Sequence, residues 1–244
     1  MAYDFSGKKA IVTGGGRGIG RAIVEGLSKN GAEVWAVSRT KEELDKVEQE
    51  IPNTHGVQAD LSDWNATKKA IEAIGPVDFL VNNAAIIVLA SLLDIKPEDF
   101  DTLYNTNVKS IICVSQVVAK GMIESGKGGS IVNMSSQASE RALKEHILYC
   151  GTKGAVDAIS RVMALELGPH KIRVNTVHPT VVMTAMGRQN WSDPARSQPM
   201  LDRIPLGRFA EEVDVANATL FLLSDQASMI HGVHLPVDGG FWTT

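Results

Sequence analysis

The 244-residue chain contains two cysteines, Cys113 and Cys150, too few for a disulfide framework or a four-thiolate zinc site. It has no surplus of positive charge. Lys and Arg number 24 against 28 Asp and Glu, a formal net charge of −4, so little is left to neutralise nucleic-acid phosphates. No hydrophobic run is long enough to span a bilayer, because the longest, near Phe79–Ile95, is broken by Asn82, Asn83 and Asp94. The first nine residues lack the apolar core of a secretory signal, and position 2 is not the Gly that myristoylation needs. The histidines show no HExxH spacing, so no metal centre is expected. At 44% hydrophobic and 21% charged residues, the composition is that of an ordinary globular protein. These absences leave one cytoplasmic domain over residues 1–244, with no nucleic-acid partner and no transmembrane segment.

What the sequence does have is alternation. Short apolar runs at Lys8–Thr13, Glu33–Ser38, Gly56–Ala59, Val77–Val81, Gly129–Met134, Lys171–Val177 and Val233–Val237 read as strands. Between them, Gly18–Asn30, Lys41–Glu50, Asp63–Ile74, a long stretch from about Pro97 to Glu124, about Leu148–Leu167 and Glu211–Leu223 read as helices. Strands alternating with helices imply an α/β fold: a doubly wound, Rossmann-like parallel sheet of about seven strands with helices on both faces. Ligands in such sheets sit beyond the carboxyl ends of the strands. Thr180–Phe209, rich in Pro and Gly, breaks the rhythm and is expected to be a mostly irregular lid over a site.

The first strand runs into Thr13-Gly14-Gly15-Gly16-Arg17-Gly18-Ile19-Gly20 and then a helix. Glycines there let the backbone approach a phosphate, and the helix N-terminus offers it free N–H groups. No Gly-Lys-Ser/Thr follows, which excludes a P-loop. An NAD site wants a carboxylate after the second strand, but the chain carries Ser38-Arg39-Thr40. Arg39 would attract a ribose 2′-phosphate, and Arg17 would add a second positive charge, so the expected cofactor is NADP(H). Asp60, after the third strand, either accepts from the adenine amino group or caps the next helix.

Tyr149 and Lys153 stand four apart at the start of a helix and so share one face. A phenol is a poor acid at neutral pH, and a neighbouring cation is expected to lower its pKa and make it a usable general acid/base. Ser135 and Ser136 end the strand before it, where a hydroxyl can hold a carbonyl oxygen. Asn107 lies among Tyr104, Val108, Ile111 and Ile112; buried, its amide needs a partner, which a water relay to Lys153 would supply, and otherwise it is an exposed helix residue.

Over nearly its whole length, the chain resembles the short-chain dehydrogenase/reductase family. The resemblance is carried by Thr13–Gly20, Asn82-Asn83-Ala84-Ala85, Asn107, Ser136, Tyr149–Lys153 and His178-Pro179-Thr180. It implies that Ser136 polarises a substrate carbonyl and Tyr149 exchanges the proton. It further implies that Lys153 tunes Tyr149 and binds the nicotinamide ribose, and that Asn107 holds a relay water. The cofactor contacts implied are Gly14, Gly16, Arg17, Gly18, Ile19, Gly20, Ser38, Arg39, Thr40, Asp60, Leu61, Asn83, Ala84, Tyr149, Lys153, Val182 and Thr184. Two departures, Pro179-Thr180 for Pro-Gly and Ala84-Ala85 for Ala-Gly, bear on the shape of the pocket.

Gln137, Leu143 and His146 from the segment before Tyr149, with Asn190 and Trp191 from the lid, are expected to make a substrate pocket that offers hydrogen bonds beside one aromatic cap; the alternatives are a surface His146 and a Trp191 that anchors the lid. Such a pocket suits a small sugar ketone or dicarbonyl better than a long acyl chain. Further stretches, among them Val37–Thr40, Pro179–Thr184, Trp191–Pro194 and Gly239–Trp242, are similar to the members of that family that reduce such substrates. This implies a homotetramer joined through the helices near Pro97–Glu124 and Leu148–Leu167. Alternatives are a reductase of 3-oxoacyl thioesters or of carbonyls generally, and a cofactor-binding scaffold without catalysis.

Overall fold

The structure, a computed structural model, describes residues 3–244. Seven strands form one parallel sheet: β1 (Lys9–Thr13), β2 (Glu33–Ser38), β3 (Thr54–Gln58), β4 (Phe79–Asn82), β5 (Gly129–Met134), β6 (Ile172–Pro179) and β7 (His234–Val237). Their order is β3-β2-β1-β4-β5-β6-β7. The chain therefore reverses direction across the sheet between β1 and β4, and the crevice at their carboxyl ends is the place for a ligand.

The strands alternate as a sheet covered on both faces must. On β1, Ala10 and Val12 point into one apolar layer with Ile23, Leu27, Leu44 and Leu220; Ile11 points into the other with Ile71, Val114, Met122 and Ile131. Helices α1 (Gly18–Lys29), α2 (Lys41–Glu50) and α9 (Glu212–Leu223) cover the first face. Helices α3 (Trp64–Glu72), α5 (Ser110–Ser125) and α6 (Ile147–Leu167) cover the second. A buried polar ladder crosses the second layer: Asn82 donates to Asn133 at 2.8 Å and to Ser115 at 2.9 Å, and Asn133 donates to Ser160 at 2.8 Å. It locks β4 and β5 to α5 and α6, because each amide leaves a desolvated group if one neighbour shifts.

Two expectations change. The long helix is α4 (Pro97–Tyr104) and α5 joined by one π turn over Asn105–Lys109, and Asn107 lies in that turn. The lid is more ordered than its Pro and Gly content suggests, with helices α7 (Ala185–Trp191) and α8 (Pro194–Leu201). The start signals were present: Thr184 caps α7 by accepting from Gly187 N–H at 3.0 Å, and Asp193 caps α8 ahead of Pro194 in the first turn, where proline has no hydrogen bond to lose.

Candidate active site

At the carboxyl end of β1, Gly14 has φ +65°, and a side chain there would meet the Asn83 amide at 2.9 Å. Only glycine fits both constraints. The Asn83 amide donates to Thr13 O at 3.1 Å, and the Thr13 hydroxyl accepts from Asn83 N–H at 2.9 Å and Ala84 N–H at 3.1 Å. Thr13, the first residue of the glycine motif, thus welds the glycine loop to the segment after β4. Arg17, preceding α1, gives no side-chain cap to that helix, so its first N–H groups are open to an anion. Ile19 packs on the core below, and Thr184 lies over Gly18 from the lid side. A bare backbone, uncapped N–H groups and a threonine roof fit a dinucleotide pyrophosphate.

Arg39 and Thr40 are exposed beyond β2, and Arg39 is close enough to Asp60 to lower its pKa, an effect smaller than that of Ser62. Asp60 accepts from Ser62 N–H at 3.0 Å and its hydroxyl at 2.8 Å. The capping alternative for Asp60 fails, since Asp63 caps α3 through Ala66 N–H at 3.0 Å. Leu61 is buried in the second apolar layer. Glu43, which was not singled out, stands 3.5 Å from Arg17 and accepts from Ser38 Oγ at 3.4 Å. It brings a carboxylate to a place where none was expected, and it competes for the positive charge that a 2′-phosphate would use. The signal for it was its position in the first turn of α2.

Across the crevice, Ser136 is buried just past β5, its hydroxyl accepting from Ala138 N–H at 3.1 Å. Tyr149 is half-buried in the first turn of α6, and Lys153 is 2% exposed one turn on. The Lys153 Nζ lies 5.6 Å from the Tyr149 ring centre and donates to Met134 O at 2.7 Å. The expected lowering of the phenol pKa is not found. Burial pushes Tyr149 upward, with Ser136 opposing it. Burial brings Lys153 down to about 8, with Asp157 opposing it. The lysine charge is spent on the Met134 carbonyl as well as facing the ring.

Asn107 is fully buried, which excludes the exposed reading. Its Oδ1 accepts from Ile86 N–H at 2.8 Å, and its Nδ2 donates to Ile86 O at 2.9 Å and Thr152 Oγ1 at 3.3 Å. Its side-chain partners are protein groups, so it ties the loop after β4 to α6 beside Lys153.

The substrate candidates divide. Gln137 is buried with Oε1 lacking a partner. His146 holds Lys144 O at 2.6 Å and stands edge-on to Tyr149, ring centres 6.3 Å apart. Leu143 is half-buried between them in sequence, its carbonyl accepting from His146 N–H at 3.2 Å. In the lid, Val182 is buried and bridged to Ala210, Asn190 is exposed on α7, and Trp191 packs on Phe209 under Arg196. Trp191 is therefore an anchor of the lid's own apolar cluster. The structure also gathers Asp157, His178 and His234, which no local pattern joins.

A glycine cradle facing a serine, tyrosine and lysine across one crevice defines a dinucleotide-dependent oxidoreductase. Residues 14–242 match a family described as Enoyl-(Acyl carrier protein) reductase. L-xylulose reductase of Mus musculus is 56% identical over 244 residues, all of both chains. D-erythrulose reductase of Gallus gallus is 54% identical over 238 residues, 98% of this chain and 97% of the relative. Among solved structures, a candidate NAD(P)-dependent gluconate 5-dehydrogenase of Beutenbergia cavernae with bound NADP superposes with a TM-score of 0.94 at 33% identity, covering all of both chains. The chain belongs to the short-chain dehydrogenase/reductase family.

Proposed function

We propose that the protein is an NADPH-dependent carbonyl reductase that converts L-xylulose to xylitol and also reduces α-dicarbonyls. The observation that carries this reading is the convergence of Ser136, Tyr149 and Lys153 at the strand ends facing the glycine cradle. Full-length identity to reductases named for L-xylulose and D-erythrulose supports a small sugar ketone. The orphaned Gln137 Oε1 supports it too, as an acceptor awaiting a hydroxyl.

NADPH, when bound, supplies the hydride that reaches the carbonyl carbon. Its pyrophosphate would be held by the loop Gly14–Gly20 and the open N–H groups of α1, and its 2′-phosphate by Ser38, Arg39, Thr40 and Arg17. Asp60 and Leu61 would border the adenine, Asn83 and Ala84 the ribose, and Val182 and Thr184 the carboxamide. Ser136 donates to the carbonyl oxygen, and Tyr149 gives that oxygen its proton. A phenol held protonated suits the reducing direction. Lys153 would hold the nicotinamide ribose, and Asn107 keeps the loop after β4 in place beside it. Gln137, Leu143 and His146 would line the substrate side of Tyr149, and Asn190 and Trp191 would border it from the lid.

The reading includes a cytoplasmic homotetramer. Supporting the assembly, Ile112 on α5 and Ile147, Val162 and Leu165 on α6 are exposed apolar residues on the two helices expected at the interface. No helix among the described residues is long and apolar enough to cross a membrane.

A second reading is a reductase of 3-oxoacyl thioesters, since the family description names a carrier-protein thioester as substrate. Following NADPH absorbance with L-xylulose, diacetyl and an acetoacetyl thioester separates them. Rapid loss with the first two is expected. Turnover of the thioester alone would overturn the sugar-ketone pocket and leave the fold and proton donor standing.

A further inference from the structure

One buried cluster is used by nothing above. Asp157 lies on α6 one turn beyond Lys153, so Tyr149, Lys153 and Asp157 form a single i, i+4 row. Asp157 is 3% exposed, and neither carboxylate oxygen has a hydrogen-bond partner. A buried carboxylate without donors is costly unless a charge compensates it. Two imidazoles crowd it from the sheet. His178 Nε2, on β6, lies 3.3 Å from Oδ1, and His234 Nδ1, on β7, lies 3.9 Å from Oδ2. The two rings stack at 5.0 Å, and Trp242 stands edge-on to His178.

The three groups have the composition of a metal site, with ligand atoms within 4.8 Å of one another. Their hydrogen bonds speak against that. Arg161 approaches His234 Nε2 at 3.4 Å as a donor, which leaves the ring hydrogen on Nδ1, pointed at Asp157. His178 Nε2 is engaged by Thr176 Oγ1 at 2.7 Å. A divalent cation would also sit close to the ammonium of Lys153. The compensating cation is Lys153, buried one helical turn away on the same face.

We propose that Asp157 is a positioning residue for the redox site: its buried carboxylate is the counter-charge that keeps Lys153 an ammonium beneath Tyr149, and His178 and His234 fix it there. This rests on the reading of Tyr149 and Lys153 given above. The titratable and charged groups facing the pair are Tyr149, Cys150 and Arg161 on α6, His178 on β6 and His234 on β7. Against burial, the group that favours the charged lysine is Asp157 itself. Burial alone would drive Lys153 toward neutrality, and a neutral amine holds the phenol and ribose less well.

The test reads Lys153 directly, by an NMR pH titration of ¹³C-labelled lysine in the intact protein, with the resonance assigned by its loss in Lys153→Arg. Asp157→Asn is expected to move the Lys153 midpoint down by about one pH unit, and the alkaline limb of kcat for ketone reduction with it. Asp157→Glu should return both toward the wild-type position. If Asp157→Asn does not fold, His178→Asn, which removes a ring that packs on the carboxylate without removing the carboxylate itself, should still shift the midpoint. An unmoved midpoint in every folded variant overturns the proposal. So does a Co²⁺ ligand-field spectrum that needs Asp157, which would make the cluster a metal centre. If Lys153→Met keeps full turnover, the reading of the site fails instead, whatever Asp157 does to the titration.

Discussion

Asn107 grips Ile86 by both of its backbone groups, accepting from the N–H at 2.8 Å and donating to the C=O at 2.9 Å. The π turn makes this possible, because one extra residue per turn rotates Asn107 inward to full burial. Asn107→Ala strips both partners from a half-buried loop. The expected cost is about 1–3 kcal/mol, read from urea unfolding, with a fall in kcat as the loop after β4 loosens. Unchanged stability would mean the loop is held elsewhere.

Tyr149→Phe removes the proton donor and keeps the ring. Turnover of L-xylulose should drop by at least about 10²-fold, the lower range for a lost general acid. NADPH binding, followed by fluorescence, should stay close to wild type. Turnover within a few-fold of wild type would exclude Tyr149 as the donor.

Arg39→Asp should weaken NADPH at least about tenfold more than NADH, since one charge-assisted contact is worth roughly 1.5–3 kcal/mol. Glu43→Gln should act in the opposite direction and more weakly, because its partner Arg17 is 74% exposed. Titrations of both cofactors into both variants decide this. A fixed ratio of affinities would remove the 2′-phosphate from this end of the crevice.

Burial holds His178 down to about 4, against an ordinary value near 6.5, with Asp157 opposing. Between those pH values the unfolded chain binds the proton and the folded chain does not. Stability therefore falls as pH drops from about 6.5 toward 4, and this contribution is constant above about 6.5. His178→Asn should flatten that part of the Tm–pH curve in calorimetry. An equally steep curve would place the acid sensitivity in other groups.

Leu165 is 79% exposed on α6. If α5 and α6 meet their counterparts in a tetramer, Leu165→Glu puts a charge into that contact, and light scattering should show a smaller species. A tetramer of undiminished stability in this variant would move the interface to another face.

Periodicity along the chain determined much of this molecule. Apolar runs, glycine stops and helical spacing are near-neighbour properties, so seven strands and the helices between them were legible to within a few residues. The glycine loop and the Tyr149–Lys153 pair were legible for the same reason: each is one short segment on one element. The lid holds two helices where its Pro and Gly content suggests only a short helical piece, because Thr184 and Asp193 cap their starts.

Only the tertiary structure decided what distant segments do to one another. Parallel strand order brings residues 157, 178 and 234 together, and packing sets Glu43 against Arg17. Burial, which sequence spacing does not report, turned the expected acidic phenol into a protonated one beside a lysine near 8. Charge states depend on water excluded and on neighbours supplied by other elements, and both exist only after the sheet has formed.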